Sequence, residues 1–255
     1  VNLFGLDFPP LSHIVSWPGI AGNGEWWEIN KVVLIFGAAV VFTVILFRLG
    51  NKKQMVPSGA QNLAEMSVEF VEDQIILQTM GPDGLKWAPY MLSLFFYIFF
   101  TNIFEVVPFI QMPASARVAL PMFLAGLTWI LFNYAGIRHQ GLGGYLKSSL
   151  FPPGVPVLLY LLVTPIEFVS VFLVRPFSLM VRLFANLLAG HILLVTFAVL
   201  SAGLFTAKWY AIFFPLPLIM VIFFTLFEVL VSFLQAYVFT LLAGVYIGGA
   251  MHPEH

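Results

Sequence analysis

The stretch FSLMVRLFANLLAGHILLVTFAVLSAGL, residues 177–204, runs 28 positions without proline, and LIMVIFFTLFEVLVSFLQAYVFTLLAGVY, residues 218–246, runs 29. At 1.5 Å per residue each makes a helix of ~42 Å, against a bilayer hydrocarbon core of ~30 Å. Neither fits upright, and the matched excess predicts a tilt of roughly 45° or more. Thr206, Lys208, Trp209, Pro215 and Pro217 lie between them and predict a turn, so the pair should form a long, strongly tilted antiparallel hairpin. In such a hairpin, residues at one depth have residue numbers with a nearly constant sum. Arg182 then faces the depth of Gln235, and His191 that of Glu228. The midpoint of this register falls on Lys208 and Trp209, the turn already chosen from composition.

The rest of the chain fits the same solvent. Of 255 residues, 60% are hydrophobic and 9% charged, whereas a soluble domain carries roughly 25% charged residues. With a mean hydropathy of +0.97, this excludes a soluble enzyme. A net charge of −1 offers no field for nucleic acid, and the absence of Cys removes disulfides, thiolate metal sites and Cys nucleophiles. No metal or cofactor is expected. Nothing at Val1 reads as a signal peptide, so insertion is expected to rely on internal spans.

The segments expected along the chain make one all-α membrane domain of about five membrane helices plus one amphipathic surface helix. Residues 1–30, with Trp17, Trp26 and Trp27 among Pro and Gly, form an external interfacial segment. A first membrane helix covers 32–49 and exits at Arg48, Lys52 and Lys53. Residues 57–80 form a cytoplasmic surface helix, because Glu65, Glu69, Glu72 and Asp73 alternate with Leu63, Met66, Phe70 and Ile75 at helical spacing. Further membrane helices cover 87–107 and 118–137, and the long tilted pair covers 157–205 and 210–248. The N-terminus is expected outside and the C-terminus in the cytoplasm. That orientation puts six basic residues inside (Arg48, Lys52, Lys53, Lys86, Arg138, Lys147) and three outside (Lys31, Arg117, Lys208).

Charged residues inside the long pair point to function. Arg near a bilayer centre costs from ~2.5 to over 10 kcal/mol, so Arg182 calls for a partner, a polar cavity or water. Snorkelling to the interface is the other reading, equally open for Arg175 beside Pro176. At 100° per residue, Arg175, Ser178, Arg182, Asn186 and Ala189 lie within about 40° of one meridian. Ala185 and Ala189 leave room for another helix to approach, or simply pack within this chain. The second helix carries Glu228, Ser232 and Gln235 at helical spacing. His191 and Glu228 at one depth suit proton exchange near neutral pH, although a lone His is often only a structural residue. Nine residues turn His191 about 180° away from Arg182, which points it toward a separate aqueous route unless the helix bends. Glu105 after Asn102, and Glu167 before Arg175, are further carboxylate candidates, each also readable as an ordinary position near a Pro-marked end.

No phosphate loop, HExxH or Gly-x-Ser-x-Gly is present. The polar inventory describes a path for a small cation. A secondary transporter binding an anion at Arg182 is the main rival, but it expects inverted repeats and broken helices around a midplane site. An enzyme acting on lipid phosphates would need a nucleophile or metal-ligating acids beside Arg175 and Arg182, and only Ser178 is at hand.

The runs Arg175-Pro-Phe-Ser-Leu-Met-Val-Arg182-Leu-Phe-Ala-Asn186-Leu-Leu-Ala-Gly190-His191, Leu234-Gln235-Ala236-Tyr237-Val238-Phe239 and Asn102-Ile-Phe-Glu105-Val-Val-Pro108 together resemble the subunit a family of F-type ATP synthases. The resemblance implies a stator subunit that abuts a rotating ring of c subunits, with peripheral-stalk subunit b and other synthase subunits as partners. It implies that the last two helices lie near-horizontal. Arg182 would be the essential arginine that meets the ring carboxylate and separates two offset half-channels, with Asn186 and Gln235 lining that interface. His191 and Glu228 would form the polar pair of the outward half-channel, with Glu105 contributing, and Arg175 and Ser178 would lie toward the cytoplasmic route. The resemblance also implies protons as the ion and a bacterial plasma (inner) membrane. One departure is Arg117, where the family often carries a small polar or acidic residue after Ser-Ala.

Overall fold

The computed structural model describes residues 2–3, 6–7, 31–50, 59–107, 118–151, 155–206 and 210–251. The chain opens on an antiparallel pair of two-residue strands, β1 (Asn2–Leu3) and β2 (Leu6–Asp7), with Leu3 opposite Leu6. Helix α1 spans Lys31–Gly50, and α2 spans Ala60–Val71 before a π-helical turn at Glu72–Ile76 leads into the short α3, Leu77–Met80. A 3-10 turn at Pro82–Trp87 precedes α4, Ala88–Val106. Then come α5 (Ala119–Leu150), α6 (Tyr160–Val169), a second π-helical turn (Ser170–Val174), α7 (Arg175–Thr206) and α8 (Pro215–Met251).

The helical fold follows from the solvent that the composition implies. In hydrocarbon every backbone N–H and C=O needs an internal partner, and a helix supplies them all within one segment. Four segments among the described residues are long and apolar enough to cross a membrane: Pro82–Phe104, Ala119–Leu150, Tyr160–Phe205 and Ala211–Met251. A shorter apolar helix covers Val33–Arg48. The expected segment 1–30, Lys52, Lys53, Arg117 and the turn residues Lys208 and Trp209 lie outside the described residues, apart from the two short strands.

Two compact units divide the chain. The first comprises 1–42, 97–117 and 184–235. Its small core is aromatic and tight: Ile35, Ala39 and Phe104 are buried, with Phe36, Tyr97 and Phe100 packed on them. The Phe42 ring meets Phe104 edge-on at 5.5 Å. The α7 and α8 segments of this unit form an antiparallel hairpin. Phe197 stacks on Phe224 at 5.2 Å, Phe205 meets Phe214 at 5.2 Å, and Gly190 lies against Glu228. These pairs follow the register expected from the sequence.

The second unit comprises 43–96, 118–183 and 236–255. Its α2 to α3 stretch buries Ala64, Val71, Ile75, Ile76 and Met80, while Leu63 and Met66 are 59% and 60% exposed. Of the four apolar residues at helical spacing, Ile75 is therefore buried and Phe70 half-buried, while Leu63 and Met66 face outward. Gly244 and Gly248 of α8 receive Thr79: a β-carbon at Gly244 would collide with the Thr79 hydroxyl, and one at Gly248 with its carbonyl oxygen. Each glycine costs about 1 kcal/mol of helix propensity, offset here by the close approach that a small-xxx-small pair permits.

Within α5 the helix expected over 118–137 is followed, after a break, by a second helical stretch to Leu150. Arg138 ends the apolar run, its guanidinium donating to the Tyr134 hydroxyl at 2.9 Å, and helical geometry lasts only to Gln140. The break comes at Gly141, with φ of 72° and ψ of 162°. Such a φ is open to glycine at no steric penalty. Around the break, Tyr145 packs on Gly136 and donates to Asn133 Oδ1 at 2.9 Å, and Gln140 donates to the Ala250 carbonyl at 2.7 Å. Pro165 falls inside α6, and the chain stays helical through the π-helical turn into α7.

Candidate functional site

The chemistry-bearing residues of the first unit gather where α7 and α8 pair. Helix α8 forms because 215–251 holds Pro only at its first turn, at positions 215 and 217, where missing N–H donors do no harm. It places Glu228 toward α7 with 4% of its surface exposed. A carboxylate reaches that depth because residue 190 has no side chain. A β-carbon there would overlap Glu228 Oε1 and would sit 2.7 Å from its Cδ. His191, the next residue along α7, is 7% exposed and lies within electrostatic reach of Glu228. The sequence expected these two groups at one depth, and the hairpin brings them together.

A cavity of about 250 Å³ opens beside Glu228, lined by Asn186, Ala189 and Gly190 from α7 and by Phe224, Phe227 and Glu228 from α8. It is apolar except for an amide and a carboxylate. Within the first unit, three buried polar atoms on these two helices, Asn186 Nδ2, Ser232 Oγ and Gln235 Nε2, have no hydrogen-bond partner among the protein atoms. Buried polar groups are nearly always paired, so three such atoms on one hairpin mark a place suited to water or a partner's polar group. Asn102 of α4 is 1% exposed. Glu105 belongs to the same helix, and its side chain is outside the described part.

The remaining candidates belong to the second unit. Arg182 is exposed on α7, as are Ala185 and Ala189 on the part of that helix that belongs to the first unit. An exposed guanidinium on a helix this apolar is available to a group outside the chain. Arg175 and Ser178 are half-buried, and the Arg175 guanidinium lies over the Tyr246 ring at 5.3 Å, a cation–π contact. Glu167 is half-buried on α6. Among the described residues no three His, Asp or Glu side chains come together as a metal would require.

Sequence reasoning missed the part played by Gly190. A glycine in a helix interior is a signal for close approach by a neighbour, and it stood next to His191 in the quoted run.

Comparison with known proteins adds to this geometry. The sequence profile of the family described as ATP synthase A chain matches residues 32–248. Among curated proteins, the chain is 41% identical over 230 residues to ATP synthase subunit a of Frankia alni, covering 89% of this chain and 79% of that one. It is 40% identical over 251 residues to ATP synthase subunit a of Rhodococcus erythropolis, covering 97% and 88%. It is 38% identical over 259 residues to ATP synthase subunit a of a Nocardioides species, covering 97% and 94%.

Proposed function

The chain belongs to the ATP synthase subunit a family, and from that premise we propose that it is the proton-translocating stator of the synthase membrane sector. As a component of that complex it performs no chemistry by itself. Its partners are the ring of c subunits, peripheral-stalk subunit b, other synthase subunits and lipid. It lies in a bacterial inner membrane with its N-terminus outside and its C-terminus in the cytoplasm. Two offset half-channels deliver protons to the ring carboxylates and take them away.

The mechanism rests on solvation. A ring carboxylate is costly in lipid when ionised, so it travels there protonated and gives up its proton only beside Arg182 or in water. Arg182 holds the ionised carboxylate by charge, and its guanidinium keeps its own proton at any relevant pH. A proton therefore has to board the ring to cross, and proton motive force becomes biased rotation. Asn186 and Gln235 flank the arginine at the ring interface. His191 and Glu228 carry protons in the outward route with Asn102 and Glu105, while Arg175, Ser178 and Glu167 lie toward the cytoplasmic route. The observation that carries this reading is the buried pair of Glu228 and His191, with a cavity beside Glu228: an acid and a base placed for proton exchange out of bulk solvent.

The test is Arg182→Ala in the assembled complex, in sealed vesicles, with ATP-driven and passive proton flux both measured. Loss of coupled pumping and of ATP synthesis, with any residual flux uncoupled, supports the reading. Intact coupled flux overturns it and returns an anion-binding transporter to consideration.

A further inference from the structure

Three threonines in the helices of the first unit close back on their own backbone. Thr101, Thr196 and Thr225 each donate to the carbonyl four residues earlier, at 2.7, 2.6 and 2.7 Å. That bond is the least costly way to bury a hydroxyl in a helix. Ser232 does otherwise: it is 1% exposed, yet its Oγ bonds to no protein atom.

Its position gives the departure a use. Ser232 follows Glu228 by four residues and precedes Gln235 by three, so all three side chains leave α8 within about 60° of one another. They are 4%, 1% and 7% exposed, a polar stripe inside a helix that is otherwise apolar along this stretch. Phe99 of α4 meets Phe233 at 6.4 Å, which brings the part of α4 that carries buried Asn102 alongside the same stretch. From Glu228 to Gln235 the helix rises ~10 Å, too far for one proton transfer. Ser232 divides that distance into ~6 Å and ~4.5 Å, each within reach of a side chain and one water.

We propose that Ser232 is a proton-relay residue between Glu228 and the polar stretch at Gln235 and Asn102, a role that rests on the proton-channel function proposed above. The hydroxyl suits this work because it accepts and donates through one atom. An incoming proton bonds to an Oγ lone pair, the proton already on Oγ leaves to a water on the far side, and the side chain ends as the neutral hydroxyl it was. The amides of Asn186 and Gln235 orient such water but do not exchange protons this way.

The experiment compares Ser232→Ala and Ser232→Thr with the parent and with Arg182→Ala, all as assembled complexes in inverted membrane vesicles, matched for complex content by immunoblot. Proton flow is read in H₂O and D₂O. Ser232→Ala is expected to slow proton flow about tenfold and to enlarge the H₂O/D₂O rate ratio, because a relay step has become limiting. Ser232→Thr, which keeps the hydroxyl, restores flow to within about twofold of the parent. Parent-like flow in Ser232→Ala overturns the relay, and so does equal slowing by Ala and Thr with an unchanged isotope ratio, which marks a packing role. Arg182→Ala separates the two levels: if it abolishes coupling while Ser232→Ala is silent, only the relay fails. If it leaves coupling intact, the proton-channel function itself has failed.

Discussion

Gly190→Ala is the sharpest test of how the acid is held. The new methyl would stand 2.7 Å from Glu228 Cδ and 3.2 Å from Oε2, and in overlap with Oε1. Reaching an ordinary contact of about 3.4 Å moves Cδ by at least about 0.7 Å, and Oε1 by more. Overpacking of this kind costs about 1–3 kcal/mol. A displacement near 1 Å at a reacting group costs up to about a hundredfold in rate, so ATP-driven pumping by assembled Gly190→Ala complexes should fall ten- to a hundredfold. The double variant Gly190→Ala with Glu228→Asp withdraws the carboxylate by one methylene and should recover a substantial part of that loss. Initial rates of acidification in inverted vesicles, normalised to assembled complex, measure both. Parent-like pumping by Gly190→Ala would refute the claim that the bare α7 backbone at residue 190 sets the position of Glu228.

Other consequences follow from contacts in the second unit. Asn133→Ala leaves the largely buried Tyr145 hydroxyl without its acceptor and should lower stability by about 1–3 kcal/mol, read as a drop in the thermal midpoint of detergent-solubilised complex. Tyr145→Phe in the same background should return part of it. Tyr246→Ala removes the ring under Arg175 and should cost about 0.5–2 kcal/mol, while Tyr246→Phe costs less than half as much; equal losses would rule out the cation–π contact. Gly248→Val drives a side chain into the Thr79 backbone and should expose the α2 to α3 stretch to limited proteolysis, whereas Gly249→Ala, which meets no neighbour, should leave the digest unchanged.

The sequence made the hairpin readable because length and charge act one residue at a time. Two proline-free apolar runs longer than a bilayer allow few arrangements, and the prolines and Lys208 between them fix the register that joins Gly190 to Glu228 and Phe197 to Phe224. The same logic found His191 with Glu228. It failed where packing between distant segments decides. Arg138 reads as the end of a span, and the helix does break three residues on, at Gly141; what the charge does not announce is the second helical stretch to Leu150, where Tyr145 packs on Gly136. Leu63, Met66, Phe70 and Ile75 read as one apolar face of the surface helix, yet of the four only Ile75 is fully buried, and the contact with Gly244 and Gly248 falls on Thr79. Gly190 and Ser232 were visible as letters, but their significance lies in what approaches them across the hairpin and what fails to bond there.

The seating of Thr79 on Gly244 and Gly248 also bears on how the molecule is made. The two partners lie roughly 165 residues apart, which a ribosome takes on the order of 10 to 30 s to traverse at 5–20 residues per second. Throughout that interval α2 and α3 have no glycine groove to occupy. Gln140 waits in the same way, for a shorter interval, for the Ala250 carbonyl 110 residues later. Biogenesis therefore ends with the last helix locking segments made long before it. An insertion factor that shields the early amphipathic helix until α8 emerges would have a defined moment of release, set by the arrival of two glycines.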